Sequence, residues 1–189
     1  MKKFTILSFF VLCVSAVSAQ TNENSLPPID RSPMDMSYYP NNYPALKIQD
    51  KANEPLVARV IYSRPQRSGR AIFGGLVEYG KLWRLGANEA TEIEIFRHVK
   101  IGTKKIPKGR YTMYAFVNES NWTIILNKET DIWGAFKYDA KKDVVRVDVP
   151  VQKTDQLVES FAMVFEKTIN GANLIIAWEN IRVSLPIIF

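Results

Sequence analysis

The chain has 189 residues with 25 Lys and Arg against 19 Asp and Glu, which gives a formal net charge of +6. This length fits one domain, and no recognition motif accompanies the modest basic excess, so we expect no nucleic-acid partner. The sequence contains one cysteine and one histidine, Cys13 and His98. A single cysteine cannot form a disulfide within the chain, and one cysteine and one histidine are too few ligands for a zinc or copper site. We therefore expect no metal and no cofactor.

The first residues have the three parts of a secretory signal peptide. A basic start at residues 2–3 precedes an apolar run over residues 4–14, and small residues at 17–19 precede Gln20. The run is shorter than the roughly 20 apolar residues of a permanent membrane span. We therefore expect a signal peptide at residues 1–19 and a mature chain that is exported to the periplasm or beyond, soluble and without a transmembrane segment.

A proline-rich stretch follows the predicted cleavage site. Because proline fixes φ and removes a backbone donor, this stretch is predicted to form no regular helix or central strand. We expect residues 20–32 to be a linker and residues 33–189 to be a single domain. The methionines and tyrosines of residues 34–43 should pack, in an extended conformation, against the domain surface. The prolines of the stretch are Pro27, Pro28, Pro33, Pro40, Pro44 and Pro55.

From Leu56 onward the apolar period is two, which is typical of half-buried strands. The sequence Asn-Glu-Ser-Asn at 118–121 predicts a hairpin loop, and Asn170-Gly171 predicts a tight hairpin turn. No long helical period occurs, and a helical turn would fit at most near residues 155–159. About eight strands in this order predict an all-β antiparallel β-sandwich, jelly-roll-like. The candidate strands are 56–62, 91–96, 111–117, 122–126, 145–149, 161–168, 172–179 and 181–185.

The segment 62–91 is rich in arginine and glycine and is predicted to be a long irregular loop. Arginine suits bidentate binding of carboxylate or phosphate, and glycine lets backbone approach a ligand closely. These residues predict a pocket for a small polar, anionic or saccharide ligand. Arg64, Arg70 and Arg84 would face the ligand, Trp83 would stack on it, and Asn88, Glu89 and Thr91 would orient it.

Several blocks of the chain resemble the bacterial domain-of-unknown-function family DUF2911. The resemblance runs from about residue 32 to residue 186 and implies an exported β-rich domain with a site, without implying a reaction. The blocks are YSRP at 62–65, GR at 69–70, IFG at 72–74, LWR at 82–84, GANEAT at 86–91, PKGRY at 107–111, the strand at 122–127, WGAF at 133–136 and AWE at 177–179.

Two other interpretations of the loop stay open. The arginines could pair with Glu78, Glu89 and neighbouring carbonyls and so only lock the fold, because buried loop groups need partners. Glu89 could alternatively serve a glycan-acting hydrolase or isomerase, although nearby arginines favour a permanent carboxylate over a general acid. We assign no catalytic residue and expect a non-enzymatic binding domain. Outside the loop, Trp122, Trp133 and Trp178 are expected in the core.

Overall fold

The computed structural model describes residues 26–189, so the predicted signal peptide and residues 20–25 of the predicted linker lie outside it. Within this range no helix is long and apolar enough to cross a membrane. The described chain contains strands β1 (Met34–Tyr39), β2 (Ala58–Ser63), β3 (Leu82–Trp83), β4 (Glu92–Ile95), β5 (Val99–Ile101), β6 (Lys104–Ile106), β7 (Gly109–Val117), β8 (Asn121–Asn127), β9 (Asp143–Pro150), β10 (Gln152–Thr168) and β11 (Gly171–Ile188), the helix α1 (Tyr43–Ile48) and a 3₁₀ turn at Ala140–Lys142.

The strands form two antiparallel sheets. The larger sheet has the order β1-β2-β4-β7-β8-β9, and β3 also pairs with β7, beyond the end of β4. The smaller sheet has the order β10-β11-β5-β6. One hydrophobic cluster contains buried residues of both sheets, such as Trp122 of β8 and Phe161 of β10. The predicted all-β antiparallel sandwich is confirmed, while the jelly-roll connectivity stays a prediction.

Three details differ from the sequence-based expectations. The described residues form eleven strands instead of about eight. Four were not predicted as strands: β1 lies in the proline-rich stretch, and β3, β5 and β6 have only two or three residues and are too short to show a period. The predicted strands at 172–179 and 181–185 are both part of β11. The proline-rich stretch contains α1, which is compatible with Pro44 because the first helical turn needs no intrahelical N–H bonds. Residues 155–159, the one place where a helical turn would have fitted, belong to β10, whose pairing with β11 shifts register there.

Strand β11 folds back on itself. Eighteen extended residues would span about 60 Å, yet the Phe189 N–H donates to the Asn170 carbonyl at 3.1 Å. Glu179 has a φ of +57°, a left-handed conformation suited to reversing the chain. The core-facing residues also change from even to odd numbers there: they are Ala172, Leu174, Ile176, Trp178, Ile181, Val183, Leu185 and Ile187.

We expect Gly171→Ala to lower the free energy of unfolding by about 3 kcal/mol, because the added methyl group overpacks a fixed backbone contact. A Cβ at Gly171 would lie 2.1 Å from the Ile187 carbonyl oxygen, at a φ of +153°. Gly80→Ala is the matched control, since Gly80 also has a positive φ but no atom within 4 Å, and backbone strain alone costs about 1 kcal/mol. Urea unfolding of both variants measures the difference, and equal losses would contradict this packing.

The outer face of the larger sheet carries a small second cluster that holds the segment 128–142 in place. Tyr138 packs edge-on against Tyr114 at 5.2 Å between ring centroids. Its hydroxyl donates to the Asp143 carboxylate at 2.6 Å and accepts from Arg146 at 2.8 Å. Burial, and then the hydrogen bond to Asp143, raise the pKa of Tyr138 to about 12 from its ordinary value of 10.0.

This raised pKa predicts a pH dependence of stability. The folded protein keeps the Tyr138 proton where the unfolded chain loses it, so the free energy of unfolding should fall as pH rises from 10 to 12. Tyr138→Phe should be less stable at neutral pH, because it loses the hydroxyl contacts, but should show a shallower fall in this window. Urea midpoints measured across the window test this, and an unchanged slope would contradict the assignment.

Candidate functional site

The loop between β2 and β4 is anchored by the indole of Trp83. This side chain is buried and stacks on Trp178 of β11, with 6.1 Å between ring centroids and 17° between ring planes. Its Nε1–H donates to the Gly86 carbonyl at 3.1 Å. Leu85 has a φ of +56° and is fully buried, so the chain turns sharply after Arg84. Trp83 was predicted to stack on a ligand, but most of its surface is buried in the core.

A cavity of about 270 Å³, the arginine cavity, opens beside the stacked indoles. It brings together three of the residues predicted from the sequence, namely Arg70, Trp83 and Arg84. Its wall also includes Trp178, which the sequence placed only in the core, and Ser32, which the sequence did not single out. The remaining lining residues are Pro65, Leu76, Val77, Gly86 and Ala87.

Arg84 has no partner for its charge within the described part of the chain. No carboxylate lies within ion-pair distance of its guanidinium, and its Nε is buried without a hydrogen-bond acceptor. Burial lowers the pKa of Arg84 from its ordinary value, although an arginine remains charged at neutral pH. Arg59 also has a buried Nε without an acceptor, but its charge is paired with Glu94. The cavity thus presents an uncompensated cation.

Two other arginines of the loop are held by distant parts of the fold. Arg64 pairs with Asp35 of β1 at 2.9 Å and donates to the Phe161 carbonyl at 3.1 Å. Arg67 pairs with Glu179 at 3.3 Å. These carboxylates are not the ones that the sequence suggested, Glu78 and Glu89, because the true partners come from strands far away in sequence.

Arg70 is held by backbone instead of by an acid. Its Nε–H donates to the Arg67 carbonyl at 2.9 Å, and a second N–H donates to the Gln66 carbonyl. These two contacts fix the guanidinium at the cavity without neutralising it. Arg70 therefore adds a second cationic group to the one that Arg84 supplies.

Asn88 and Glu89 line a second cavity of about 360 Å³, which also contains Asp30 and Trp133. The Asn88 side chain donates to the Asp30 carboxylate at 3.0 Å, and the exposed Glu89 forms an antiparallel bridge with Trp133. Ser32 lines this cavity as well as the arginine cavity, so the two cavities share a wall. We call this second cavity the outer cavity.

Thr91 lies apart from both cavities. It is fully buried, and its hydroxyl donates to the Leu85 carbonyl. Its backbone carbonyl accepts from Met113 at 2.7 Å, which joins the end of the loop to β7. In this arrangement Thr91 stabilises the turn after Arg84 and has no free polar atom for a ligand.

Trp133 is exposed, so its expected place in the core is wrong. It keeps 61% of its surface exposed and stacks on Phe136, which is 82% exposed, with 5.9 Å between ring centroids and 18° between planes. Trp122 and Trp178 are buried as expected. The available signal was the local sequence, because Trp133 is followed by Gly134 and stands outside any alternating apolar run. Among residues 26–189, no group of three or more His, Cys, Asp or Glu side chains could hold a metal ion.

The chain matches the model of a protein family. No curated protein and no solved structure matches the chain. The model of the family described as "Protein of unknown function (DUF2911)" matches residues 44–187. The match includes the whole loop that forms the arginine cavity, and it covers well over half of the sequence, as the resemblance of the sequence blocks predicted. The chain therefore belongs to the DUF2911 family.

Proposed function

We propose that this protein is a non-enzymatic binding domain for a small anionic ligand and that the ligand's acidic group lies between Arg84 and Arg70. The observation that carries the proposal is the half-buried guanidinium of Arg84, which no carboxylate neutralises within the described residues. Burying an unpaired charge is costly, and proteins usually pair such groups. A bound carboxylate or phosphate would supply the missing partner.

The chemistry of the arginine cavity supports an acid of modest size. Its volume of about 270 Å³ lies just below the usual range for ligand sites, roughly 300–1,000 Å³. Guanidinium groups bind carboxylate and phosphate through parallel N–H donors. Because backbone carbonyls already hold Arg70, little side-chain entropy is lost when an anion binds there. The edges of Trp83 and Trp178 would contact the apolar part of the ligand.

We favour binding over catalysis because of the surroundings of Glu89. This carboxylate lines a third cavity, of about 180 Å³, together with Glu92 and Asp131. Both of these potential partners form ion pairs with Arg110, the first at 2.9 Å. A glycosidase needs one carboxyl group with a raised pKa opposite a second carboxylate. Because pairing with an arginine favours the ionised form of a carboxyl group, Glu92 and Asp131 are unsuited to the acid role, so the hydrolase alternative gains no support here.

We expect Arg84→Met to bind anions at least tenfold more weakly than the wild-type protein. The variant should nevertheless unfold at the same temperature or about 2–4 °C higher, because an apolar chain of similar length replaces an unpaired buried charge. Thermal unfolding with and without inorganic phosphate or galacturonate, at constant ionic strength, measures both effects. The wild-type protein should be stabilised by the anion, since a ligand that binds only the folded state raises its stability.

Arg64→Met is the matched control. It breaks the ion pair with Asp35 and the hydrogen bond to the Phe161 carbonyl, so we expect a loss of about 1 kcal/mol in the free energy of unfolding. Its response to the anion should remain. If Arg84→Met were instead the variant that unfolds more easily, with no anion effect in the wild-type protein, Arg84 would be a structural lock and the binding proposal would fail.

We also propose that the protein works outside the cytoplasm, after removal of residues 1–19. The basic start and the short apolar run carry this proposal. Mass spectrometry of the protein from fractionated cells should find a chain that begins at Gln20 in the periplasmic or secreted fraction. Recovery of the uncleaved chain from the cytoplasmic fraction alone would contradict it.

A further inference from the structure

The stacked pair of Trp133 and Phe136, the aromatic pair, is an exposed apolar surface next to the proposed ligand site. Large aromatic groups are costly to expose together, and such patches usually mark contact sites. Trp133 lines the outer cavity, so part of its exposed surface borders a space that a ligand can enter. The other three tryptophans, Trp83, Trp122 and Trp178, are buried in the core.

The backbone fixes the aromatic pair in position. The Gly134 N–H donates to the Asn88 carbonyl at 2.9 Å, and Glu89 bridges to Trp133. A Cβ at Gly134, where φ is +72°, would lie 2.6 Å from the Phe136 ring, so glycine lets the two rings stack. The surface is therefore preformed and joined to the same loop that carries Arg84.

The carboxylates of Asp30 and Glu89 line the outer cavity beside Trp133. The carboxylate of Glu89 forms no ion pair with any residue in the described range, and Asp30 accepts from Asn88 at 3.0 Å and from the Ser32 N–H at 2.6 Å. Carboxylates next to an aromatic face suit a neutral ring whose hydroxyl groups donate hydrogen bonds and whose C–H face stacks. A second anion would be repelled here.

The two cavities therefore have complementary requirements. The arginine cavity favours an acidic group and disfavours a cationic peptide. The outer cavity favours a neutral ring that has hydroxyl donors and an apolar face. Ser32 lines both, so one molecule can reach both. We propose that the aromatic pair, with Asn88 and Glu89, is a second subsite for a sugar ring and that the ligand is an acidic oligosaccharide. This inference rests on the proposed function and names its ligand class.

Titration calorimetry with galacturonate, the disaccharide galacturonosyl-galactose and neutral galactobiose tests the proposal. The wild-type protein should bind galacturonosyl-galactose about tenfold more tightly than galacturonate, because its second, neutral ring stacks on Trp133. Trp133→Ala should remove this gain and leave galacturonate binding unchanged, and Trp133→Phe should keep most of it. Ile169→Ala, which removes a fully exposed apolar side chain in the β10–β11 turn, should change nothing.

The outcomes separate this inference from the function on which it rests. If galacturonate binds through Arg84 but galacturonosyl-galactose binds no more tightly, or if Trp133→Ala keeps the gain, the second subsite is wrong and the anion site stands. If galactobiose binds as tightly as galacturonosyl-galactose and only Trp133→Ala weakens it, the acidic ligand and the anion site are both wrong. Failure of all three sugars to bind overturns the oligosaccharide, and phosphate binding through Arg84 then decides whether the anion site survives.

Discussion

The stacking of Trp83 on Trp178 connects the two halves of this structure. Trp83 belongs to β3 of the larger sheet and Trp178 to β11 of the smaller sheet, and Phe161 packs on both, at 5.2 and 5.8 Å between centroids. Such contacts contribute beyond the area that they bury. Because the same indoles border the arginine cavity, the packing that joins the sheets also shapes the site. A rigid core contact thus sets the position of a loop that would otherwise be irregular.

Arg84 is the exception among the four arginines of the loop, because no carboxylate pairs with it and its Nε has no acceptor within residues 26–189. Arg64 and Arg67 have carboxylate partners, and Arg70 has carbonyls. The backbone nearby is also strained, with positive φ at Leu85 and Asn88. Strain and unpaired charge persist where the surrounding structure enforces them, and they concentrate at functional sites. Both features are explained if an anion binds to the free protein and neutralises the charge of Arg84.

Local signals account for the parts of the fold that the sequence predicted. The turns at residues 118–121 and 170–171 join the strand pairs expected of them, since hairpins depend on adjacent residues. The sequence also grouped Arg70, Trp83 and Arg84, which line one cavity. It could not identify Asp35 and Glu179 as ion-pair partners, because these pairs arise from tertiary contacts. Trp133 differs from these partners, because its place next to Gly134 and outside any alternating apolar run already favoured an exposed loop position.

The guanidinium resonances of the arginines offer the most direct measure of this account. The Nε–H of Arg84 has no acceptor within residues 26–189, whereas the Nε–H of Arg64 donates to a carbonyl. Each group gives a signal in a ¹H–¹⁵N correlation spectrum of the mature chain, and the Arg84 signal is assigned as the one missing from the spectrum of Arg84→Met. Titration with galacturonate should shift the Arg84 signal saturably and leave the Arg64 signal in place. An Arg84 signal that does not move, or that moves no more than that of Arg64, would contradict the anion site.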